Sequence, residues 1–298
     1  MLPNFLVVGA GRSGTTSLHY YLQQHPDVYL PEVKSPSYFY CNRLPPTQDP
    51  LHERVNRDYY VRDTAAYEAL FNGVRAESAI GEVSPAYLAS MQAIEHISER
   101  IPGVRIVIIL RNPVDRFYAR YVARHRDGLE LQESVEALLA EERKLPWIRD
   151  DAVGTYLSAG FCSHFIEAYM ERFPQGQLHL TFFEDLQRNA AEYMRRLYEF
   201  LGVCPDFDVN VSERKNVSGG YIRNPLLRAM WTKSASSRLL VRPYVPKRLR
   251  DPLFTLITRR TVSRPLESAT RLELVDIYRA EIEKLQSMTD RNLAHWMQ

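Results

Sequence analysis

Phe5-Leu-Val-Val-Gly-Ala-Gly-Arg-Ser-Gly-Thr-Thr-Ser-Leu18 is the stretch that decides how this chain folds. A short apolar run, Leu6 to Val8, reads as a buried strand. It ends in a glycine-rich turn, and small hydroxyl residues then lead into the amphipathic stretch Leu18 to Gln24. The order is strand, loop, helix start. Such a loop aims backbone N–H groups and a helix N-terminus at an anion, usually a phosphate. Its details exclude the usual nucleotide triphosphatase. A Walker loop needs Gly, four residues, Gly-Lys and then Ser or Thr. Gly9 and Gly14 keep that spacing, but Thr15 stands where the lysine belongs, and the cation comes earlier, at Arg12. A phosphate-type anion is expected here; magnesium-dependent chemistry on a β- or γ-phosphate is not.

Working outward, apolar runs of the buried parallel kind recur at Ala79-Ile80, Ile106 to Leu110 and Leu178 to Phe183. Helical patterns lie between them. One covers 85–100, with Ser84 as N-cap and Pro85 at the first helical position. A second covers 113–126, capped by Asn112, and others cover 163–173, 190–201 and 269–288. Strands alternating with helices predict an α/β fold, a central, mostly parallel sheet flanked by helices, formed as a single domain over 1–298. Ligands then lie at the carboxyl ends of the strands. Residues 40–56 and 208–225 read as loops near the site, and 226–265 is a basic stretch broken by prolines.

The chain has 298 residues, 45 % hydrophobic and 25 % charged, enough to bury the core of one large α/β domain. A net charge of +2 does not argue for nucleic acid or a membrane surface as partner. Cys41, Cys162 and Cys204 have no metal-ligand spacing and read as free thiols in a reducing compartment, so the expected location is cytoplasmic. No window approaches a membrane span, and the first apolar run is too short for a signal-peptide core. The Asn-Val-Ser triplets at Asn210 and Asn216 then read as chance sequons. Oligomeric state leaves no trace in the sequence.

Gly9 to Thr16 resembles the modified P-loop, Gly-x-x-Lys/Arg-Ser/Thr-Gly-Thr-Thr, of the sulfotransferases that use 3′-phosphoadenosine 5′-phosphosulfate (PAPS). A second segment, Arg105-Ile-Val-Ile-Ile-Leu-Arg-Asn-Pro-Val-Asp-Arg-Phe-Tyr-Ala-Arg-Tyr121, resembles that family's 3′-phosphate motif, a buried strand running into Arg-Asn-Pro-x-x-Arg. Pro31 to Phe39, Gly81-Glu-Val-Ser-Pro-Ala-Tyr87, Thr181 to Leu186, Phe200-Leu-Gly202 and Tyr278-Arg279 are similar to further landmarks, so the likeness runs through most of the chain and is weakest at 220–265. The nearest kin in this sense are the heparan-sulfate-type and bacterial enzymes. The resemblance implies a P-loop-NTPase-like sulfotransferase fold. It also implies PAPS as co-substrate, 3′,5′-ADP as product, no metal, and a carbohydrate or small-molecule acceptor.

Sulfuryl transfer needs a cation at the leaving group, donors around the sulfonate and a base on the acceptor. The resemblance assigns the first role to Arg12, whose guanidinium acts by charge and hydrogen bonds because it does not readily give up a proton. Ser13, Gly14, Thr15, Thr16 and Ser17 supply donors to the 5′-phosphosulfate, with helix capping as the plainer use of the two threonines. Glu82 is the expected base, with a pKa raised by partial burial. The alternatives are a helix-start charge or a salt bridge to Lys34 or Arg12. Lys34 touches sulfonate or acceptor, or forms a structural ion pair; His25 and Lys34 stand next in line as base.

Arg111 ends a buried strand, where a charge wants a partner. The family motif makes it the 3′-phosphate clamp, and an ion pair is the plain alternative. Two positions depart from the pattern: Ala119 replaces a serine that shares this phosphate, and Cys162 replaces a tyrosine. Arg214 and Lys215 are placed to compensate for the first. An acceptor pocket is expected between 34–60, with Tyr38 and Tyr40, and 221–250, with Trp231. Two rival readings are a P-loop kinase-like phosphotransferase and a non-catalytic nucleotide-binding protein.

Overall fold

The structure, a computed structural model, describes residues 1–43, 60–212 apart from 128, 131 and 133, and 265–298, together with the backbone of 221–222 and 261–262. The chain runs β1 (Phe5–Gly9), α1 (Thr15–Leu22), β2 (Val28–Tyr29), α2 (Tyr38–Cys41), α3 (Thr64–Ala69), β3 (Ala79–Val83), α4 (Met91–Arg100), β4 (Arg105–Leu110), α5 (Pro113–Asp127) and α6 (Val135–Glu142). It continues through α7 (Ser163–Arg172), β5 (Leu178–Phe182), α8 (Phe183–Arg188), α9 (Ala190–Leu201), the short strands β6 (Tyr221–Ile222) and β7 (Thr261–Val262), and α10 (Ser268–Thr289). The main sheet has five parallel strands in the order β2-β3-β1-β4-β5. β6 and β7 pair antiparallel, and β6 lies against α5.

The period of two in the strands sorts the core onto two faces. Leu6, Val8, Ile106, Ile108 and Leu110 join the larger apolar cluster with α4, α5, α7 and α10. Phe5, Val7, Val107 and Ile109 join the second, with α1 and α9. All are at most 1 % exposed, which is why these runs are continuously apolar rather than alternating. Each contributes about 1.5–3 kcal/mol relative to exposure. From β1 the sheet grows toward β3 on one side and β4 on the other. The carboxyl ends of these three strands therefore flank the switch point where open α/β sheets bind ligands.

The central parallel sheet and its flanking helices agree with the sequence reading, and α5, α7, α9 and α10 fall within two residues of their expected ends. The Asn112 cap is also present, its Oδ1 accepting the Val114 N–H at 2.9 Å. The helix expected from Pro85 is different. After a 3₁₀ turn at Tyr87–Ala89, α4 starts only at Met91, and its cap is Ser90, whose Oγ accepts from Ala93 N–H at 3.3 Å. Ser84, expected as that cap, instead uses its hydroxyl on Glu82. Phe183, expected to end a strand, begins α8.

Candidate active site

The loop after β1 is held by few atoms. Ala10 N–H donates to Ile109 O at 2.7 Å, tying it to β4, and Ser13 N–H donates back to Ala10 O at 3.2 Å. Arg12 lies in the left-handed region at φ 71°, which costs a non-glycine residue on the order of 1–3 kcal/mol. Gly14 caps α1 at φ 86°, and a Cβ there would meet the Phe183 ring at 2.9 Å. Thr15 and Thr16 are thus the first helical residues rather than caps, and no side chain caps α1. Ser13 is fully buried, and its Oγ has no hydrogen-bond partner among the described residues. An orphaned buried hydroxyl in an anion-type loop fits a ligand oxygen.

The second signature meets this loop directly. Arg111, at the end of β4, donates from Nη1 to Arg12 O at 2.8 Å, and its guanidinium lies 4.8 Å from the centroid of the Phe183 ring. Burial pushes its pKa down, while Asp115 and Glu184 pull it back. Among the described residues it forms no salt bridge, so the ion-pair alternative has no partner there. Behind it, Trp296 donates from Nε1 to Glu184 at 3.0 Å and accepts from Asn112 Nδ2 through its carbonyl at 3.2 Å. Arg291 grips Asp185 at 2.6 and 2.7 Å.

Lys34 reaches the loop from the other side, its Nζ donating to Thr16 Oγ1 at 2.5 Å. Ser35 and Ser37, at φ 58° and 52°, turn the chain so that it does. They are pinned to the end of β3 by Ser35 Oγ donating to Val83 O and Ser37 N–H donating to Ser84 Oγ, both at 3.0 Å. Burial, then the nearby Arg12, pushes the Lys34 ammonium down to about 8. Arg12 is itself pushed down by burial, pulled up by Asp127 and pushed further down by Arg126, Arg111 and Arg124.

Glu82 departs from the expected partial burial: it is 1 % exposed. Tyr67 and Tyr87 each donate to its Oε1 at 2.7 Å, and Ser84 donates to Oε2. Burial raises its pKa, and the three hydroxyls lower it part of the way back. No salt bridge joins it to Lys34 or Arg12 among the described residues. His25 is ruled out as a substitute base. It follows α1 at the far end from the loop, with Nε2 on Cys204 O and Nδ1 accepting from Asp27 N–H, both at 3.0 Å.

Tyr38 does not line a pocket. It is 2 % exposed, stacks on Tyr67 at 4.2 Å between centroids and bonds Thr64 Oγ1 at 2.9 Å. Tyr40 does line a cavity of about 420 Å³ over the ends of β1 and β3, together with Tyr60 and the first residues of the loop, Ala10 and Gly11. Arg214, Lys215 and Trp231 lie outside the described residues. Cys162 also lines the cavity and is nearly buried; burial, then Glu281, pushes its thiol pKa up, as for a packing residue rather than a nucleophile. The sequence reading gave no role to Arg116, although it stands in the second signature, nor to Arg120 and Arg124; the three form the cationic wall of this cavity. Their four-residue spacing along α5 was the available signal. Among the described residues no group of three or more His, Cys, Asp or Glu is arranged to hold a metal ion. Nor is any helix there long and apolar enough to cross a membrane.

Residues 3–206 match the family model described as "Sulfotransferase family". The chain is 27 % identical over 210 residues to the human bifunctional heparan sulfate N-deacetylase/N-sulfotransferase 2, covering 68 % of this chain and 22 % of that protein. It is 29 % identical over 149 residues to the membrane-associated sulfotransferase kil1 of Dictyostelium discoideum, covering 47 % of this chain and 28 % of that one. It therefore spans under a third of the length of either relative. Among solved structures, the sulfotransferase from Alicyclobacillus acidocaldarius superimposes with a TM-score of 0.76 at 27 % identity, with all of both chains covered. With the family matched from residue 3 to residue 206, and an anion loop joined to the end of β4 in a five-stranded parallel sheet, the chain belongs to the sulfotransferase family and is a transferase enzyme.

Proposed function

We propose that this enzyme moves a sulfuryl group from PAPS to a hydroxyl or amine of a sugar or small polar natural product, without a metal, as a single domain in the cytoplasm. The observation that carries the reading is the bond from Arg111 to the Arg12 carbonyl, which makes the two signatures one cationic site. In this reading Arg111 holds the 3′-phosphate. The donors of Ser13, Gly14, Thr15, Thr16 and Ser17, with the Ser13 hydroxyl free to serve, receive the 5′-phosphosulfate. Arg12 and Lys34 place positive charge where the leaving group gathers negative charge. Glu82 takes the acceptor proton through one of its three hydroxyl donors, which pass their own proton inward as they take the acceptor's. Arg214 and Lys215 remain part of the proposal as second contacts to the 3′-phosphate, in place of the hydroxyl that Ala119 lacks. The likeness to enzymes named for heparan sulfate favours a sugar acceptor.

The test is turnover of labelled PAPS over a panel of sugars, aminosugars and small alcohols in excess chelator. Activity is expected to persist; activity lost with chelator and restored by magnesium returns the chain to kinase-like chemistry.

The Lys34 pKa gives a pH signature. A bound polyanion favours the charged ammonium and raises a pKa that stands at about 8 in the free protein. Between the free and bound values the complex holds more protons than the free enzyme, so binding takes up protons and affinity falls as pH rises through that window. At about pH 8.5, calorimetry of 3′,5′-ADP in buffers of different ionisation enthalpy is expected to show uptake on the order of half a proton or more. Lys34→Met is expected to abolish it. Buffer-independent heats for the unaltered enzyme would remove Lys34 from the co-substrate site.

A further inference from the structure

Helix α5 presents Arg116, Arg120 and Arg124 at four-residue intervals to the cavity over β1 and β3. Each is oriented by one backbone carbonyl: Arg116 on Tyr156 O at 2.9 Å, Arg120 on Gly154 O at 2.8 Å and Arg124 on Leu129 O at 3.1 Å. In each the Nε is buried without a hydrogen-bond partner among the described residues. Tyr156 lies beneath the outer two, with guanidinium carbons 5.4 and 6.0 Å from its ring centroid. None of the three forms a salt bridge with a described carboxylate. The acids nearby are engaged by tyrosine hydroxyls instead: Asp151 by Tyr40 at 3.1 Å and Glu130 by Tyr156. Arg116 is buried and Arg120 and Arg124 are half-buried. Three guanidiniums on one cavity wall repel one another, and cations with buried, unbonded N–H groups are costly without an anion.

We propose that the cavity is the acceptor site and that its acceptor already carries an anionic group, a carboxylate, sulfate or phosphate, which docks on Arg120 and Arg124. This rests on the sulfotransferase reading and adds the substrate class. The cavity opens on Ala10 and Gly11, so a ring seated in it has the glycine loop at one end and the arginines at another. At about 420 Å³ it has room for a sugar-sized ring rather than a folded partner. The 3′-phosphate is not the expected occupant, because Arg111 faces Phe183 and the Arg12 carbonyl and does not line this cavity.

The test uses the full chain saturated with 3′,5′-ADP and titrated with glucose, glucuronate, glucose 6-sulfate and glucose 6-phosphate, followed by calorimetry and ligand-observed NMR. At low salt at least one anion is expected to bind about tenfold or more tighter than glucose, as one charge-assisted contact implies. The preferred anion identifies the group, and added salt is expected to shrink the advantage. Arg120→Gln and Arg124→Gln should each cut it several-fold while leaving 3′,5′-ADP affinity within about twofold. Equal binding of glucose and all three anions, or no binding of any anion, overturns the proposal. So does a loss of 3′,5′-ADP affinity in the arginine variants, which moves these residues to the co-substrate. If the variants fail to fold, the comparison on the unaltered enzyme still decides. A chain that never binds 3′,5′-ADP refutes the co-substrate reading instead, and the sugar titrations run without it remain decisive here.

Discussion

Arg111→Ala is expected to weaken 3′,5′-ADP binding on the order of 100-fold while weakening 5′-AMP by only a few-fold. Charge-assisted hydrogen bonds contribute about 1.5–3 kcal/mol, and each 1.4 kcal/mol is a factor of ten. Arg111 is half-buried, its plane is supported by Phe183, and Ala119 offers no hydroxyl to share the load. The few-fold loss on 5′-AMP comes from the second job of the same side chain, its bond to the Arg12 carbonyl. Calorimetry with both nucleotides separates the two jobs. An equal loss on both ligands would leave Arg111 as a brace for the loop and nothing more.

Glu82→Gln is expected to reduce turnover by about 10²-fold or more, the usual scale for removing a general base, with 3′,5′-ADP affinity unchanged. The substitution suits the site. An amide oxygen still accepts from Tyr67 and Tyr87, and its NH₂ faces Ser84 Oγ, which is able to accept. The protein should therefore stay folded. Glu82→Ala is a different experiment: it strands three buried hydroxyls and opens a void, and is expected to lower the melting temperature sharply. Normal turnover in Glu82→Gln would reduce Glu82 to an anchor for the Lys34 turn and make Lys34 the base.

Much of this was legible from residue types alone, for physical reasons. β1 and β4 bury both faces, so their apolar runs are unbroken, and the anion loop advertises itself by glycine and hydroxyl spacing. The start of α4 was misread because Ser84-Pro85 is a sound local cap signal that Glu82 overrides by taking the Ser84 hydroxyl. Burial of Glu82 was hidden for the same reason: its partners Tyr67 and Tyr87 approach from outside β3. Tyr38 looked like a pocket wall because an aromatic beside a functional lysine has the same letter whether it faces a ligand or Tyr67. The stripe of α5 arginines is not legible as a site from spacing alone, because four-residue spacing fits a solvated helix face equally well and only tertiary packing sets it against a cavity.

The bond between Arg111 and the Arg12 carbonyl also bears on portability. Residues 99 positions apart in the chain share a single joint, and Gly14 leans on Phe183, the ring that Arg111 covers. The glycine loop is therefore not a cassette. Grafted alone onto another parallel sheet, it would arrive without the strand end that fixes its backbone and without the aromatic floor its helix cap was shaped against. The smallest transplantable unit is the loop, the end of β4 and the start of α8 together, three pieces of sequence that behave as one part.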